Sequence, residues 1–299
     1  MSEQVLSNLK YQLQGLMLRN QDGSFGVKAE RKKVLVQISA QLKQGGYRLQ
    51  SVQSLKPKHI NYLVERWQGE GLSAGTIKNR LSHVRWWAEK IGKASMLPKS
   101  NNGANQAITL NLEKRTYTPT ESKAKELEQN KLEKVSDPLV KLSLRLQREF
   151  GLRREEAIKF RPNYAIRGEQ LVLKPSWTKG GRPRVIPIRT ESQRHLLQQV
   201  QNQVGGGALI RPDRNYIQQL KAYERQTSQA GLDKNHGLRH MYAQKRYLEL
   251  TGWSSPIAGG PTSKQLTPEQ KQIDRQARLQ VSNELGHSRE QITVIYLGR

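Results

Sequence analysis

Cysteine is absent from this 299-residue chain. That excludes a disulfide framework, a cysteine-based zinc site and a thiol nucleophile. Long apolar runs are absent too. No stretch reaches the roughly 18 residues that a membrane helix needs, and residues 1–25 lack a signal-peptide core. The chain therefore reads as soluble and intracellular, without a membrane partner. Acid is scarce: 25 Asp and Glu face 51 Lys and Arg, for a formal net charge of +26. Residues 1–115 carry 19 basic and 7 acidic side chains, and the remainder carries 32 and 18. The excess is spread over both halves and not held in one tail. A polyanion gripped by two bodies is the natural partner, and the phosphate backbone of double-stranded DNA fits best. A solvated basic surface, as on a ribosome-associated protein, is the plainer alternative. Hydrophobic content is 35%, low but still core-forming, and no internal repeat is visible.

The periodicity predicts a helical bundle in the first hundred residues. Val34, Leu35, Ile38 and Leu42 form a stripe over 28–44, ended by Gly45-Gly46. A second helix starts near Pro57, with Ile60, Leu63, Val64 and Trp67 on one face. Ser73 caps a third, which carries Ile77, Leu81, Val84, Ala88 and Ile91 inward and Lys78, Arg80 and Arg85 outward. Residues 101–118 are polar and hold Asn101-Asn102-Gly103, so they read as a linker. Helices resume after Pro119. Asp137-Pro138 is a cap and first-turn pair for a helix bearing Leu139, Leu142, Leu146 and Phe150. Leu171-Val172-Leu173 and Val185-Ile186-Pro187-Ile188 predict a β-hairpin whose basic tip holds Lys179, Arg182 and Arg184. Helices follow at about 191–202, 214–229, 236–250 and 269–285. The Gly-, Pro- and Ser-rich segment 251–268 reads as a loop. The fold class expected is mainly α with a small antiparallel β-sheet: domain 1–100, linker 101–118 and domain 119–299.

Five short motifs occur in order. They are Gly151-Leu152-Arg153-Arg154-Glu155-Glu156, Thr178-Lys179-Gly180-Gly181, His236-Gly237-Leu238-Arg239-His240, Leu285-Gly286-His287-Ser288 and Tyr296. Together they offer a nucleophile, several cations and acid/base groups. Breaking a phosphodiester through a tyrosyl intermediate needs that set. Guanidinium groups neutralise the phosphoryl oxygens through forked hydrogen bonds. Each motif alone has a plainer reading. Arg153 and Arg154 can cap a helix, Lys179 can be a solvated turn residue, His287 can be a cap, and Tyr296 can be ordinary packing. His236 and His240 have half-zinc-site spacing, but Gly237 stands where His-Glu-x-x-His needs its glutamate, and no cysteine assists. We therefore expect no metal and no cofactor.

The ordered set resembles the tyrosine recombinase (phage integrase) family over residues 120–299. The helical bundle before it looks like that family's SAM-like core-binding domain. The resemblance implies that Tyr296 attacks phosphorus and forms a 3′-phosphotyrosine. It implies Arg153 and Arg239 as the phosphate clamp and Lys179 as general acid. His236 would help activate the tyrosine, and His287 would bond the phosphate. Glu156 and His240 would support the site, and Lys78, Arg80, Arg85, Arg182 and Arg184 would contact DNA. The implied activity is site-specific recombination that integrates or excises a mobile element. It would act as a tetramer on paired sites, with accessory DNA-bending proteins as further partners, in the cytoplasm at the nucleoid. A type IB topoisomerase-like nicking-closing enzyme and a non-catalytic DNA binder with a relic site are the rivals. Two departures stand out. Arg239 and His287 are 48 residues apart, about twice the family's usual gap, which implies an insertion near 251–275. Arg299 comes three residues after Tyr296, where many relatives continue into a tail that docks on a neighbouring protomer. The expectation is that assembly either lacks that docking mode or uses other surfaces.

Overall fold

Both expected N-caps start helices in the structure, a computed structural model that describes residues 2–99, 103, 108, 110, 112, 118–178, 180–287 and 289–299. Ser73 Oγ accepts the Thr76 amide at 3.3 Å, and Asp137 Oδ1 accepts the Leu139 amide at 2.9 Å. Each satisfies a backbone donor that the first helical turn leaves without a partner. The chain divides into two units, Met1–Thr116 and Tyr117–Arg299.

The first unit holds α1 (Ser2–Arg19), α2 (Phe25–Gln44), α3 (Pro57–Gly69) and α4 (Ala74–Lys90). Its core gathers Leu13, Leu35, Ile38, Leu42, Ile60, Leu63, Trp67, Leu81, Val84 and Trp87. The stripes that predicted α2, α3 and α4 all face this core. The buried indole of Trp67 donates to Gln41 Oε1 at 3.0 Å, which avoids an unsatisfied donor. Helix α1 has no counterpart in the sequence reading, although Leu9, Leu13 and Leu16 recur at helical spacing and are buried. Much of the expected linker lies outside the described residues. Its described members Ile108, Leu110 and Leu112 are buried in the first unit's core, which corrects the linker reading there.

The expected outward basic side of α4 is also amended. Lys78, Arg80 and Arg85 are half-buried. The Arg80 guanidinium lies 5.3 Å from the Trp67 ring centroid, and Arg85 Nε donates to the Pro98 carbonyl at 3.3 Å. Burial pushes the Arg85 pKa down. Long arginine stems cover apolar surface, so these side chains serve the unit's own packing as well as its charge.

The second unit begins without a helix, and helices resume only at α5 (Gln129–Glu133), later than expected. Then come α6 (Pro138–Phe150), α7 (Arg154–Ile158) and α8 (Pro162–Ala165). Strands β1 (Ile166–Arg167), β2 (Gln170–Leu173) and β3 (Arg184–Pro187) form an antiparallel sheet in the order β1-β2-β3. Helices α9 (Glu191–Val204), α10 (Tyr216–Gln229), α11 (Gly237–Thr251), α12 (Pro268–Glu284) and α13 (Val294–Leu297) complete it. Residues 252–267 are irregular apart from a 3-10 turn at Pro256–Ala258, and the rest of the expected insertion is the start of α12. One core joins α6, the sheet, α9, α11 and α12 through Phe150, Leu152, Phe160, Leu171, Ile186, Leu196, Tyr242, Tyr247, Val281 and Leu285. Among the described residues no helix is long and apolar enough to cross a membrane.

Candidate active site

Three arginines from distant parts of the second unit converge on one backbone oxygen. The Leu285 carbonyl, at the C-terminal end of α12, accepts Arg153 Nη2 at 3.3 Å and Arg184 Nη1 at 3.0 Å. It also accepts Arg239 Nη2. The helix terminus supplies the unpaired carbonyl and its partial negative charge. Glu156 supplies the formal countercharge. Its Oε1 meets Arg153 Nη1 at 2.8 Å, and its Oε2 accepts Arg184 Nη2 and the Arg153 amide, both at 2.6 Å. Glu156 is fully buried. Burial alone would raise its pKa, but Arg184, Arg239, Arg153 and the Arg153 amide outweigh it and hold the carboxylate below its ordinary value.

Local sequence explains how each side chain arrives. Arg153 is the N-cap residue of α7, and Glu156 is its N3 residue, so a capping-box arrangement places the two together. Gly151 ends α6 with φ +59, a left-handed conformation that glycine adopts cheaply. A Cβ there would come within 2.6 Å of the Tyr242 ring. Gly286 does the same after α12, with φ +69, and a Cβ there would meet Arg184 Cδ at 2.9 Å. These two glycines let the chain turn tightly while arginines pack behind it.

Arg184 corrects the sequence reading. It was expected to contact DNA from the hairpin. Instead it is 3% exposed. The register decides this: Leu173 pairs with Arg184 and Leu171 with Ile186, so the strand that buries Ile186 buries Arg184 two residues earlier. The inward period of two from Ile186 and Ile188 was the signal available in the sequence. Burial and the neighbouring Arg239 push the Arg184 pKa down to about 9, while Glu156 opposes them, and the guanidinium stays charged at neutral pH.

Arg239 and Tyr296 form the centre. Arg239 is 1% exposed and Tyr296 5%. Arg239 Nε donates to Tyr296 Oη at 3.3 Å, and Nη1 donates to the Gly151 carbonyl. Desolvation lowers the Arg239 pKa. Three imidazoles surround the phenol. The ring centroids of His240, His287 and His236 lie 4.6, 6.1 and 6.3 Å from that of Tyr296. His236 starts α11 and keeps an exposed edge. Desolvation of the rest of the ring, with Arg239 and Arg153 nearby, lowers its pKa. Desolvation and the same arginines, with Arg184, take His287 down to about 4. Desolvation, His236, Lys123 and Arg239 take His240 to about 4. The imidazoles are therefore neutral at pH 7, and each can accept a proton. Among the described residues His287 Nε2 is buried without a hydrogen-bond partner, which is costly unless a ligand satisfies it.

Thus Arg153, Glu156, His236, Arg239, His240, His287 and Tyr296 come together. Lys179 lies outside the described residues. Arg182 is exposed on the hairpin. Lys78, Arg80 and Arg85 belong to the other unit. Among the described residues no group of three His, Cys, Asp or Glu is placed to hold a metal ion. Sequence reasoning missed Gln244, whose buried Nε2 donates to the Tyr296 carbonyl at 3.0 Å. Its position on α11, five residues after Arg239, gave no distinguishing signal.

Comparison with known proteins follows the same division. Residues 6–97 match the family described as "Phage integrase, N-terminal", and residues 113–245 match the family described as "Integrase". No curated protein sequence matches the chain. Among solved structures, the chain is similar to the XerH site-specific recombinase bound to palindromic difH substrate in a post-cleavage complex. That match has 17% identity and a TM-score of 0.57, covering 96% of this chain and 80% of that one. It is similar to a lambda integrase (75–356) dimer bound to a COC′ core site, with 15% identity, a TM-score of 0.55, and 97% and 96% covered. It is also similar to the Tn1549 transposon integrase in complex with circular intermediate DNA, with 13% identity, a TM-score of 0.54, and 97% and 95% covered. At these identities the likeness is one of fold. With an N-terminal phage-integrase domain, an integrase domain and this fold, the chain belongs to the tyrosine recombinase (phage integrase) family.

Proposed function

We propose that this protein cuts and rejoins duplex DNA at specific sites through a 3′-phosphotyrosine on Tyr296. The convergence of fixed guanidinium groups and neutral imidazoles on one buried phenol carries the reading. Tyr296 Oη attacks phosphorus, the bond to the 5′-oxygen breaks, and the phosphoryl group is left on the tyrosine. His236, neutral at pH 7, accepts the phenolic proton. Arg153 and Arg239 neutralise the non-bridging oxygens as charge builds there. His287 turns its unpartnered Nε2 to the phosphate. Lys179 protonates the departing 5′-oxygen, a role that rests on the family resemblance. The ester conserves the phosphodiester energy, so attack by a free 5′-hydroxyl reverses each bond change without a nucleotide.

Lys78, Arg80, Arg85 and Arg182 are proposed to bind the DNA backbone. Arg80 Nη1 and Arg85 Nη2 are buried without a hydrogen-bond partner among the described residues, and a phosphate oxygen would satisfy both. The DNA-bound structures that the chain resembles support the substrate class; one is a transposon integrase and another an integrase tetramer on a Holliday junction, which supports mobile-element integration or excision by an oligomer.

The test begins by selecting the duplex that the purified protein binds. A nicked suicide version of that duplex should trap a covalent adduct at Tyr296 in excess EDTA. Tyr296→Phe should bind without trapping. Binding with no adduct would mark a relic site. An adduct without exchange between two sites would mark a nicking-closing enzyme.

A further inference from the structure

Two residues after Tyr296, the carbonyl of Gly298 accepts Arg278 Nη1 at 3.0 Å. Arg278 is 5% exposed, and its Nε is held by both oxygens of Asp274, at 2.8 and 2.9 Å. Asp274 also accepts the Tyr247 hydroxyl at 2.5 Å, and the indole of Trp253 donates to that hydroxyl at 3.2 Å. The chain of bonds therefore runs from the irregular segment 252–267, through α11 and α12, to the turn that ends α13. The segment also touches that turn directly. The Gly298 backbone packs so close to Ile257 that a Cβ on Gly298 would lie 2.9 Å from the Ile257 nitrogen. On the other side, Gln244 holds the Tyr296 carbonyl.

We propose that Arg278 and Asp274, under the cover of residues 253–257, are positioning residues for Tyr296. They fasten its one-turn helix from within the same chain. A helix of four residues has almost no stability of its own, so its placement comes from these tertiary bonds. The buried Arg278–Asp274 pair fixes one carbonyl and with it the tyrosine's distance from the arginine cluster. This inference rests on Tyr296 being the nucleophile.

The experiment compares wild type, Arg278→Met and Arg278→Lys as full-length chains. It reads the single-turnover rate of adduct formation, DNA affinity, and amide exchange at residues 294–298. Arg278→Met should cleave about 10- to 100-fold more slowly, because small misplacements of a reacting group cost rates of that order. Its DNA affinity should stay within about twofold, its amide exchange should accelerate at 294–298 only, and Arg278→Lys should recover most of the rate. Cleavage at the wild-type rate would overturn the proposal. So would binding that fails together with cleavage, which marks general damage. If wild type forms no adduct, the nucleophile assignment fails, and unchanged exchange at 294–298 would then overturn the fastening by itself.

Discussion

Arg239 donates from Nε to the hydroxyl of Tyr296 across 3.3 Å. Its two terminal nitrogens are bonded to the carbonyls of Gly151 and Leu285. One guanidinium thus ties the end of α6, the end of α12 and the candidate nucleophile together. Arg153 differs, because its side chain is 21% exposed and can reach a ligand from the solvent side.

This difference separates two substitutions. Arg153→Ala should slow adduct formation by about 10²-fold or more, as loss of one transition-state donor does elsewhere. Its unfolding midpoint should fall less than that of Arg239→Ala, because Arg184 still neutralises Glu156. Arg239→Ala should lose cleavage and also stability, by roughly 1–3 kcal/mol for the Gly151 carbonyl that loses its donor, while the Leu285 carbonyl keeps Arg153 and Arg184. Urea unfolding beside the suicide-substrate rate measures both. Equal stability of the two variants would contradict the assigned geometry.

Glu156 is the countercharge for Arg153 and Arg184, and Arg184 is as deeply buried. Glu156→Gln keeps the shape and removes the charge. Breaking a buried pair from one side costs about 3–5 kcal/mol, so the variant should unfold at clearly lower urea. Double substitution with Arg184→Met should recover part of that loss. No recovery in the double variant would show that the pair is not coupled.

Gly286→Ala tests the turn. The positive φ and the 2.9 Å approach of Arg184 Cδ both oppose a methyl group. The expected loss is about 1–3 kcal/mol, with slower cleavage because Arg184 must shift. A variant with wild-type stability and rate would show that the arginines yield freely.

Stability should depend on acid in a defined window. His240 and His287 have folded pKa values near 4 against the ordinary 6.5. A histidine held neutral in the fold favours the unfolded state once that state takes up protons. Stability should therefore fall as pH drops from about 6.5 towards 4 and change no further from these groups below that. His240→Asn should flatten this slope in a urea titration at several pH values. An unchanged slope would mean that His240 is not held neutral.

Lys179 carries a prediction from sequence. If it protonates the 5′-oxygen, Lys179→Ala should cleave ordinary DNA slowly. A bridging 5′-phosphorothiolate leaves as a thiolate and needs no acid. That substrate should rescue Lys179→Ala but not Arg153→Ala. The same relative change in wild type and Lys179→Ala would move the role to another residue, with His236 the first to test.

Local rules made most of the helices legible. Ser73 and Asp137 cap helices because their side chains satisfy nearby backbone donors, and the apolar stripes of α2, α3 and α6 face cores because a helix must bury one side. The ordered motifs pointed to the family and to the residues that meet at Tyr296. Other facts were not local. Arg184 looked like a surface cation until strand register turned it inward. Ile108, Leu110 and Leu112 looked like part of a polar linker until the first unit's core took them up. Arg80 and Arg85 looked solvent-facing until the Arg80 guanidinium met the Trp67 ring and Arg85 the Pro98 carbonyl. The sequence by itself determined most of the longer helices, how strongly the chain is charged, and which residue types are available for phosphoryl chemistry. Only the tertiary structure decided that Leu285 offers one carbonyl to three arginines and that Gln244 and Arg278 hold the turn bearing Tyr296. Hydrogen bonds between residues 20 to 132 positions apart depend on how elements pack, and no local pattern of side chains encodes that.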